Sequence, residues 1–212
     1  MIWLSETDNT FPTLEHVTDD GVLALGGDLS PERLKLAYSQ GIFPWYSEGD
    51  PIIWYCPNPR MVLFLDQLKI SKSMQKIIRQ QVFTVTFNQN FKEVLANCKS
   101  IDRNDGLGTW ITDDMQKAYL ELHEQGIAKS LEVWKNNELV GGLYGIDLGD
   151  VFCGESMFSK ESNASKLGFI ALVEKLKTKN YKLVDCQVYN HHLASLGAEE
   201  ISRNLFLKIL KS

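Results

Sequence analysis

Three polar side chains interrupt runs that otherwise have strand composition, and they set the chemical question for this sequence. In Leu183-Val184-Asp185-Cys186-Gln187-Val188, the two-residue period of a strand sends Leu183, Asp185 and Gln187 to one face and Val184, Cys186 and Val188 to the other. A carboxylate and an amide then sit about 7 Å apart at their Cα atoms, near the C-terminal end of a strand expected at the sheet centre, where open sheets hold ligands. Spacing leaves a second reading open, in which Asp185 caps or salt-bridges a helix and Gln187 packs at a rim. Glu155, in Phe152-Cys153-Gly154-Glu155-Ser156-Met157-Phe158, shares its face with Cys153 and Met157. A carboxylate there is costly unless paired or wet. It is either a rim residue or a group facing a cavity that receives something cationic or hydrogen-bonding. Gly141, Gly142, Gly145 and Gly154 on adjacent strands would let a ligand or another backbone approach, with simple bulges as the alternative.

Between Asp66 and Glu93 there is no acidic residue, while Lys69, Lys72, Lys76, Arg79 and Lys92 are present. The first four recur every three or four positions and share one face if the stretch is helical. The chain has 212 residues, 22 Lys+Arg against 27 Asp+Glu and a net charge of −5, so its whole surface does not attract nucleic acid. This run is the one candidate for a phosphate-backbone contact; an ordinary solvated face is the alternative. Cys56, Cys98, Cys153 and Cys186 are widely spaced, with no CxxC pair, and read as buried free thiols in a reducing compartment. His191 and His192 are adjacent, so their side chains diverge, and no metal site is expected. The N-terminus lacks a basic stretch followed by a long apolar run, and no later segment is long and apolar enough for a membrane span. A soluble, cytoplasmic protein with no membrane partner is the expectation.

These residues need elements to position them. The first sixty residues are rich in glycine, proline and aromatics. They hold one clear helix: Ser30 as N-cap, Pro31 at N1, Leu34, Ala37 and Tyr38 at helical spacing, and Gly41 as stop. The segments around it, including Trp54 to Arg60, read as loops and short edge strands more than a continuous sheet. A small N-terminal domain over 1–62 and a second domain over 63–212 follow. In the second, Val82 to Phe87 has strand composition, and helices carry Phe91, Val94, Leu95 and Cys98, then the stretch from Thr112 to Gly126. Lys129 to Trp134, Leu139 to Ile146 and Asp150 to Phe158 form an antiparallel meander. Asn163 to Lys177 is a helix, Tyr181 to Val188 a strand, and Asn190 to Leu196 a short helix ended by Gly197. The order β-α-α-β-β-β-α-β-α, with a weak last element, gives an α+β mixed sheet with flanking helices. It resembles that of the GCN5-related N-acetyltransferases, a weak warrant for chemistry.

Read together, Leu23 to Leu29 (LALGGDL), Gly41 to Trp45 (GIFPW), Gly108 to Thr112 (GTWIT), Cys153 to Ser159 (CGESMFS), Asn163 to Lys166 (NASK), Asp185 to Gln187 (DCQ) and Ala194 to Ala198 (ASLGA) resemble the bacterial leucyl/phenylalanyl-tRNA–protein transferases across nearly the whole chain. The resemblance implies an enzyme that moves leucine or phenylalanine from aminoacyl-tRNA onto an N-terminal arginine or lysine, generating an N-degron for proteolysis. It implies that Trp45 and Trp110 contact the terminal adenosine, a task suited to flat rings. Phe152, Met157, Leu143, Leu172 and Leu176 would line the pocket for the aminoacyl side chain; Leu143, Leu172 and Leu176 stand where a methionine and aromatics are expected. Glu155, Asp185 and Gln187 match the polar catalytic positions, and Lys72, Lys76 and Arg79 match the acceptor-stem contact. No cofactor is implied.

The donor is an activated ester, and an α-amine of pKa about 7.7 to 8.0 is roughly one-third neutral near pH 7.5, so little base strength is needed. Holding amine and carbonyl in line supplies much of the acceleration. On this reading Asp185 orients Gln187 and favours loss of the amine proton, Gln187 holds the amine or the oxyanion, and Glu155 attracts the amine or the basic acceptor side chain. Asp185→Ala should lose transfer and keep the fold. Two rivals remain. An acetyl-CoA-dependent N-acetyltransferase would want a glycine-rich pyrophosphate loop, but the helix opens with Ser159-Lys160-Glu161-Ser162-Asn163-Ala164. A noncatalytic RNA- or peptide-binding module would use the tryptophans and the basic helix without turnover.

Overall fold

A computed structural model describes residues 1–100 and 111–212. The N-terminal residues build a four-stranded sheet of short strands, in the order β1 (Ile2–Leu4), β2 (Val22–Gly26), β4 (Ile53–Tyr55), β3 (Phe43–Pro44). Helix α1 (Pro31–Ser39) starts as expected: Ser30 accepts the Arg33 N–H and Pro31 occupies the first turn. It stops at Gly41, whose φ of +74° suits a residue without a Cβ. A Cβ there would also lie 2.9 Å from Leu207 and 3.0 Å from Phe206, so the turn packs on the far end of the chain.

The larger sheet has seven strands: β5 (Arg60–Phe64), β6 (Thr84–Phe87), β7 (Ala128–Lys135), β8 (Glu138–Asp147), β9 (Val151–Ser159), β10 (Leu183–Gln187) and β11 (Glu199–Ile201). Their order is β11-β5-β10-β9-β8-β7-β6. The helices are α2 (Lys72–Gln80), α3 (Phe91–Ser100), α4 (Asp113–Glu124), α5 (Ala164–Thr178), α6 (His191–Ser195) and α7 (Arg203–Leu210). This is the expected α+β arrangement of a mixed sheet with flanking helices. The β7–β8 hairpin turns at Asn136 and Asn137, with φ of 52° and 64°, the left-handed pair that a two-residue turn requires.

The sequence reading passed over one strand. Residues near 60 were expected in loops and edge strands, yet β5 lies inside the large sheet, antiparallel to both β10 and β11. Arg60 and the short apolar run Met61 to Phe64 give little periodic signal, and pairing with strands more than a hundred residues away made the segment a strand. The expected weak last element is α7, capped by Ser202 and anchored by the buried Phe206.

The sheet sorts its side chains into two cores. Val62, Tyr144, Ile146, Cys153 and Leu183 pack with α1, α3 and α4 on one face. Met61, Leu63, Leu131, Leu143, Phe152 and Val184 pack with α5 on the other. Helix α5 lies close against β8 because residue 141 is glycine: a Cβ there would come within 2.7 Å of the Ala164 Cβ.

Candidate active site

Strands β9 and β10 pair in parallel only along Val151–Cys153 and Leu183–Asp185. Beyond that ladder each strand carries a bulge. In β9 the register against β8 steps from Tyr144↔Ser156 to Gly145↔Gly154, leaving Glu155 as the extra residue. In β10 the register against β5 steps from Asp185↔Val62 to Gln187↔Met61, leaving out Cys186, and Gln187 takes a left-handed φ of 65°. Gly145 permits the first bulge, since a Cβ would sit 2.2 Å from the Cys153 carbonyl oxygen.

A cleft of about 570 Å³ opens where the parallel ladder stops, lined by Gly154 to Ser159 of β9 and by Val184, Cys186, Gln187 and Val188. The strict two-residue alternation expected for β10 therefore fails past Asp185. The bulge brings Gln187 to the same cleft as Val184, Cys186 and Val188, which the sequence had assigned to the opposite, dry face.

Glu155 and Gln187 meet in that cleft. Gln187 Nε2 donates to Glu155 Oε1 at 2.8 Å, and Tyr119 Oη of α4 donates to Glu155 Oε2 at 2.9 Å. The hydroxyls of Tyr119 and Tyr38, the latter from α1, hydrogen-bond to one another. Burial pushes the Glu155 carboxyl up to about 7, against the opposing pull of hydrogen bonds from Tyr38, Tyr119 and Gln187. Burial first, and then the Glu155 charge, raises both tyrosines well above their ordinary value, so they remain O–H donors.

Asp185 has a different place. It is fully buried, as is Arg60 at 1% exposure, and the two form a bidentate pair. Arg60 Nε donates to Oδ1 at 2.8 Å and Nη2 to Oδ2 at 2.6 Å. The same Oδ1 accepts the Gln187 backbone N–H at 2.9 Å, which holds the left-handed residue in place. Burial alone would weaken the Arg60 charge, but the Asp185 charge and hydrogen bonds outweigh it and hold the guanidinium above its usual value. Arg60 also lies 4.9 Å from the Phe43 ring centre and 4.6 Å from that of Phe206. Asp185 thus reaches the cleft through Gln187, with its own oxygens engaged elsewhere. One expectation is corrected here: Asp185→Ala would strand a buried guanidinium, so it is not a change that spares the fold.

Leu143, Met157, Leu172 and Phe169 make the apolar wall of the cleft, and Phe43, Pro44 and Trp45 form its rim, with Trp45 42% exposed. Phe152 and Leu176, expected beside them, instead border a smaller cavity of about 140 Å³ that shares Leu172. Trp110 lies outside the described residues. Lys72, Lys76 and Arg79 are exposed on α2. Among the described residues no cluster of histidine, cysteine or carboxylate side chains could hold a metal ion, and no helix is long and apolar enough to cross a membrane. The thiols are not poised for attack: burial pushes Cys153 and Cys186 upward.

Sequence reasoning missed Arg60, Tyr119 and His192. A lone cation opening an apolar strand was a usable signal for the first, because a buried guanidinium demands an anion. Tyr119 reads as an ordinary member of the α4 stripe of Met115, Ala118 and Leu122. His192 lines the cleft, with its Nε2 buried and without a hydrogen-bond partner among the described residues, and burial followed by the Lys166 charge lowers its pKa.

The profile described as "Leucyl/phenylalanyl-tRNA protein transferase" matches residues 62–211, and that of its N-terminal domain matches 27–58. The chain belongs to the leucyl/phenylalanyl-tRNA–protein transferase family. A transferase of that name from Flavobacterium johnsoniae is 64% identical over 205 residues, covering 97% of each chain. One from Pseudomonas aeruginosa is 52% identical over 213 residues, covering 100% of this chain and 94% of the relative. Among solved structures, a conserved protein of unknown function from Bacteroides thetaiotaomicron has a TM-score of 0.50 at 12% identity, covering 82% of this chain and 64% of that one. A GCN5-related N-acetyltransferase from Kribbella flavida has a TM-score of 0.39 at 10% identity, covering 81% and 56%. Family membership makes this chain an aminoacyltransferase that uses aminoacyl-tRNA and a protein acceptor, and it does not favour the acetyl-CoA or noncatalytic readings.

Proposed function

We propose that the cleft is where leucine or phenylalanine passes from its tRNA to the N-terminal arginine or lysine of an acceptor protein. The observation that carries this is the Glu155–Gln187 contact at 2.8 Å, set in a cleft whose wall of Leu143, Met157, Phe169 and Leu172 is apolar. Leu143, Met157 and Leu172 would hold the aminoacyl side chain, backed by Phe152 and Leu176, and a flexible thioether fits branched and aromatic shapes alike. Trp45, with Trp110, would stack on the terminal adenosine. Lys72, Lys76 and Arg79 would meet the acceptor-stem phosphates.

In this reading Gln187 steadies the attacking amine or the developing oxyanion. Glu155 draws a basic N-terminus and would repel an acidic one. Asp185 acts from behind, by holding the Gln187 backbone. The chain would work in the cytoplasm, tagging proteins for degradation. Its small N-terminal unit, over 1–62, would supply the donor-gripping aromatic rim. Incubation with labelled phenylalanyl-tRNA and an Arg-initiated peptide tests the proposal. A lengthened peptide is expected, with acetyl-CoA inert and an Asp-initiated peptide a poor acceptor. Acetylation of the peptide, or tRNA binding without any transfer, would point to the rival readings.

A further inference from the structure

Two hydroxyls in the core serve no packing purpose. Tyr38 is 2% exposed and Tyr119 is fully buried, and a phenylalanine would fill either space. A buried O–H is costly unless bonded, and these two form a chain that ends on one oxygen of the carboxylate lining the cleft. The other oxygen takes the Gln187 amide. Glu155 is therefore clamped from two sides, by α1 and α4 on one and by the β10 bulge on the other. The Tyr119 ring is itself fixed edge-on against Tyr144, with centres 5.5 Å apart.

We propose that Tyr119, oriented by Tyr38, is a positioning residue for Glu155, and that Glu155 held in this way accepts the proton that the acceptor amine loses as its nitrogen attacks the aminoacyl ester. This rests on the cleft being the transfer site. In the step the nitrogen–carbon bond forms and the bond from the carbonyl carbon to the ribose oxygen breaks. One N–H proton passes to the Glu155 carboxylate, which returns it to the departing ribose oxygen, so protons and electrons balance.

A carboxyl pushed up to about 7 by burial suits this task, because a base is most useful when its pKa lies near the working pH. Among the other groups facing Glu155, Asp185 is paired with Arg60, Gln187 is a neutral amide, and Cys153 is pushed well up by burial. Tyr144, packed on Tyr119, brings a phenol. Tyr38 sits in α1, a few residues before Phe43, Pro44 and Trp45 at the cleft rim, so the segment gripping the donor also sets the base.

The test is single-turnover transfer of phenylalanine from phenylalanyl-tRNA to saturating Arg-initiated peptide, from pH 5.5 to 8.5, in wild type, Tyr119→Phe, Tyr38→Phe and Glu155→Gln. The tyrosine hydrogen bonds favour ionised Glu155, so losing the Tyr119 O–H moves the acidic limb of the profile to higher pH. The expected loss is about tenfold at pH 6, shrinking below about twofold at pH 8.5, with Tyr38→Phe shifted the same way by less. Glu155→Gln should lose about a hundredfold and keep only the acidic limb of the acceptor amine, whose pKa is about 7.7 to 8.0, so that Tyr119→Phe added to it shifts nothing further. A Tyr119→Phe loss equal at every pH, or no loss, overturns the proposal. Infrared titration of isotope-labelled glutamate in the free enzyme needs no turnover: the band missing from Glu155→Gln should titrate at higher pH in Tyr119→Phe, and an unmoved midpoint overturns the proposal. Wild type that transfers nothing would instead refute the transfer-site assignment, while the infrared result still reads the tyrosines.

Discussion

Removing Asp185 tests how the cleft end of β10 is held. In Asp185→Ala the Arg60 guanidinium stays at 1% exposure with its anion gone, and the Gln187 backbone N–H loses its acceptor. Breaking a buried ion pair from one side costs about 3 to 5 kcal/mol, a large share of the about 5 to 15 kcal/mol that stabilises an ordinary domain. At a urea slope of about 2 to 3 kcal/mol per molar, the unfolding midpoint should fall by about 1 to 2.5 M. Arg60→Met alone should cost a similar amount, since it strands the Asp185 carboxylate. The double variant Arg60→Met/Asp185→Leu replaces the pair with apolar volume and should recover most of the loss, because such swaps are often neutral or better. It should not recover transfer, because the Gln187 backbone still lacks its Asp185 acceptor. Urea melts followed by circular dichroism, with the phenylalanine-transfer assay on the same samples, measure both. An Asp185→Ala protein as stable as wild type, or a double variant no more stable than either single, would refute the reasoning.

Further outcomes follow from the same geometry. Folded Glu155 binds its proton up to about 7, whereas the unfolded group releases it near 4.5, so this residue's contribution falls as pH rises through that window, by up to about 3 kcal/mol. Glu155→Gln should therefore gain stability on wild type in thermal melts at pH 8 compared with pH 4; a gap independent of pH would count against the buried carboxyl. Trp45→Ala, at a 42% exposed site, should weaken binding of a phenylalanyl-adenosine analogue by about 5- to 150-fold in calorimetry, with little change in melting temperature. Replacing Lys72, Lys76 and Arg79 with alanine should weaken tRNA binding and flatten its salt dependence by about two to three units of log–log slope, leaving stability nearly untouched because all three are exposed.

Much of this architecture is local and was legible along the chain. Ser30 and Pro31 start α1, Thr112 starts α4, the Asn136-Asn137 pair turns the hairpin, and the lysine and arginine spacing on α2 marks a basic face, each through interactions within a few residues. The seven polar and apolar strings spread over the chain also carried the family. Three features of the site escaped that reading because they depend on pairing between distant residues. Arg60 finds Asp185 across 125 positions and Tyr38 finds Tyr119 across 81, and a buried charge or hydroxyl carries no mark in the sequence of the partner it will meet. The bulges at Glu155 and Cys186 break the two-residue alternation on which strand facing is read, so they turn Gln187 into the cleft while Asp185 stays in the core. Residue types therefore announced a carboxylate and an amide, and the packing of β5 and β10 decided where each carboxylate lies: Glu155 in the cleft, Asp185 locked in an ion pair behind it.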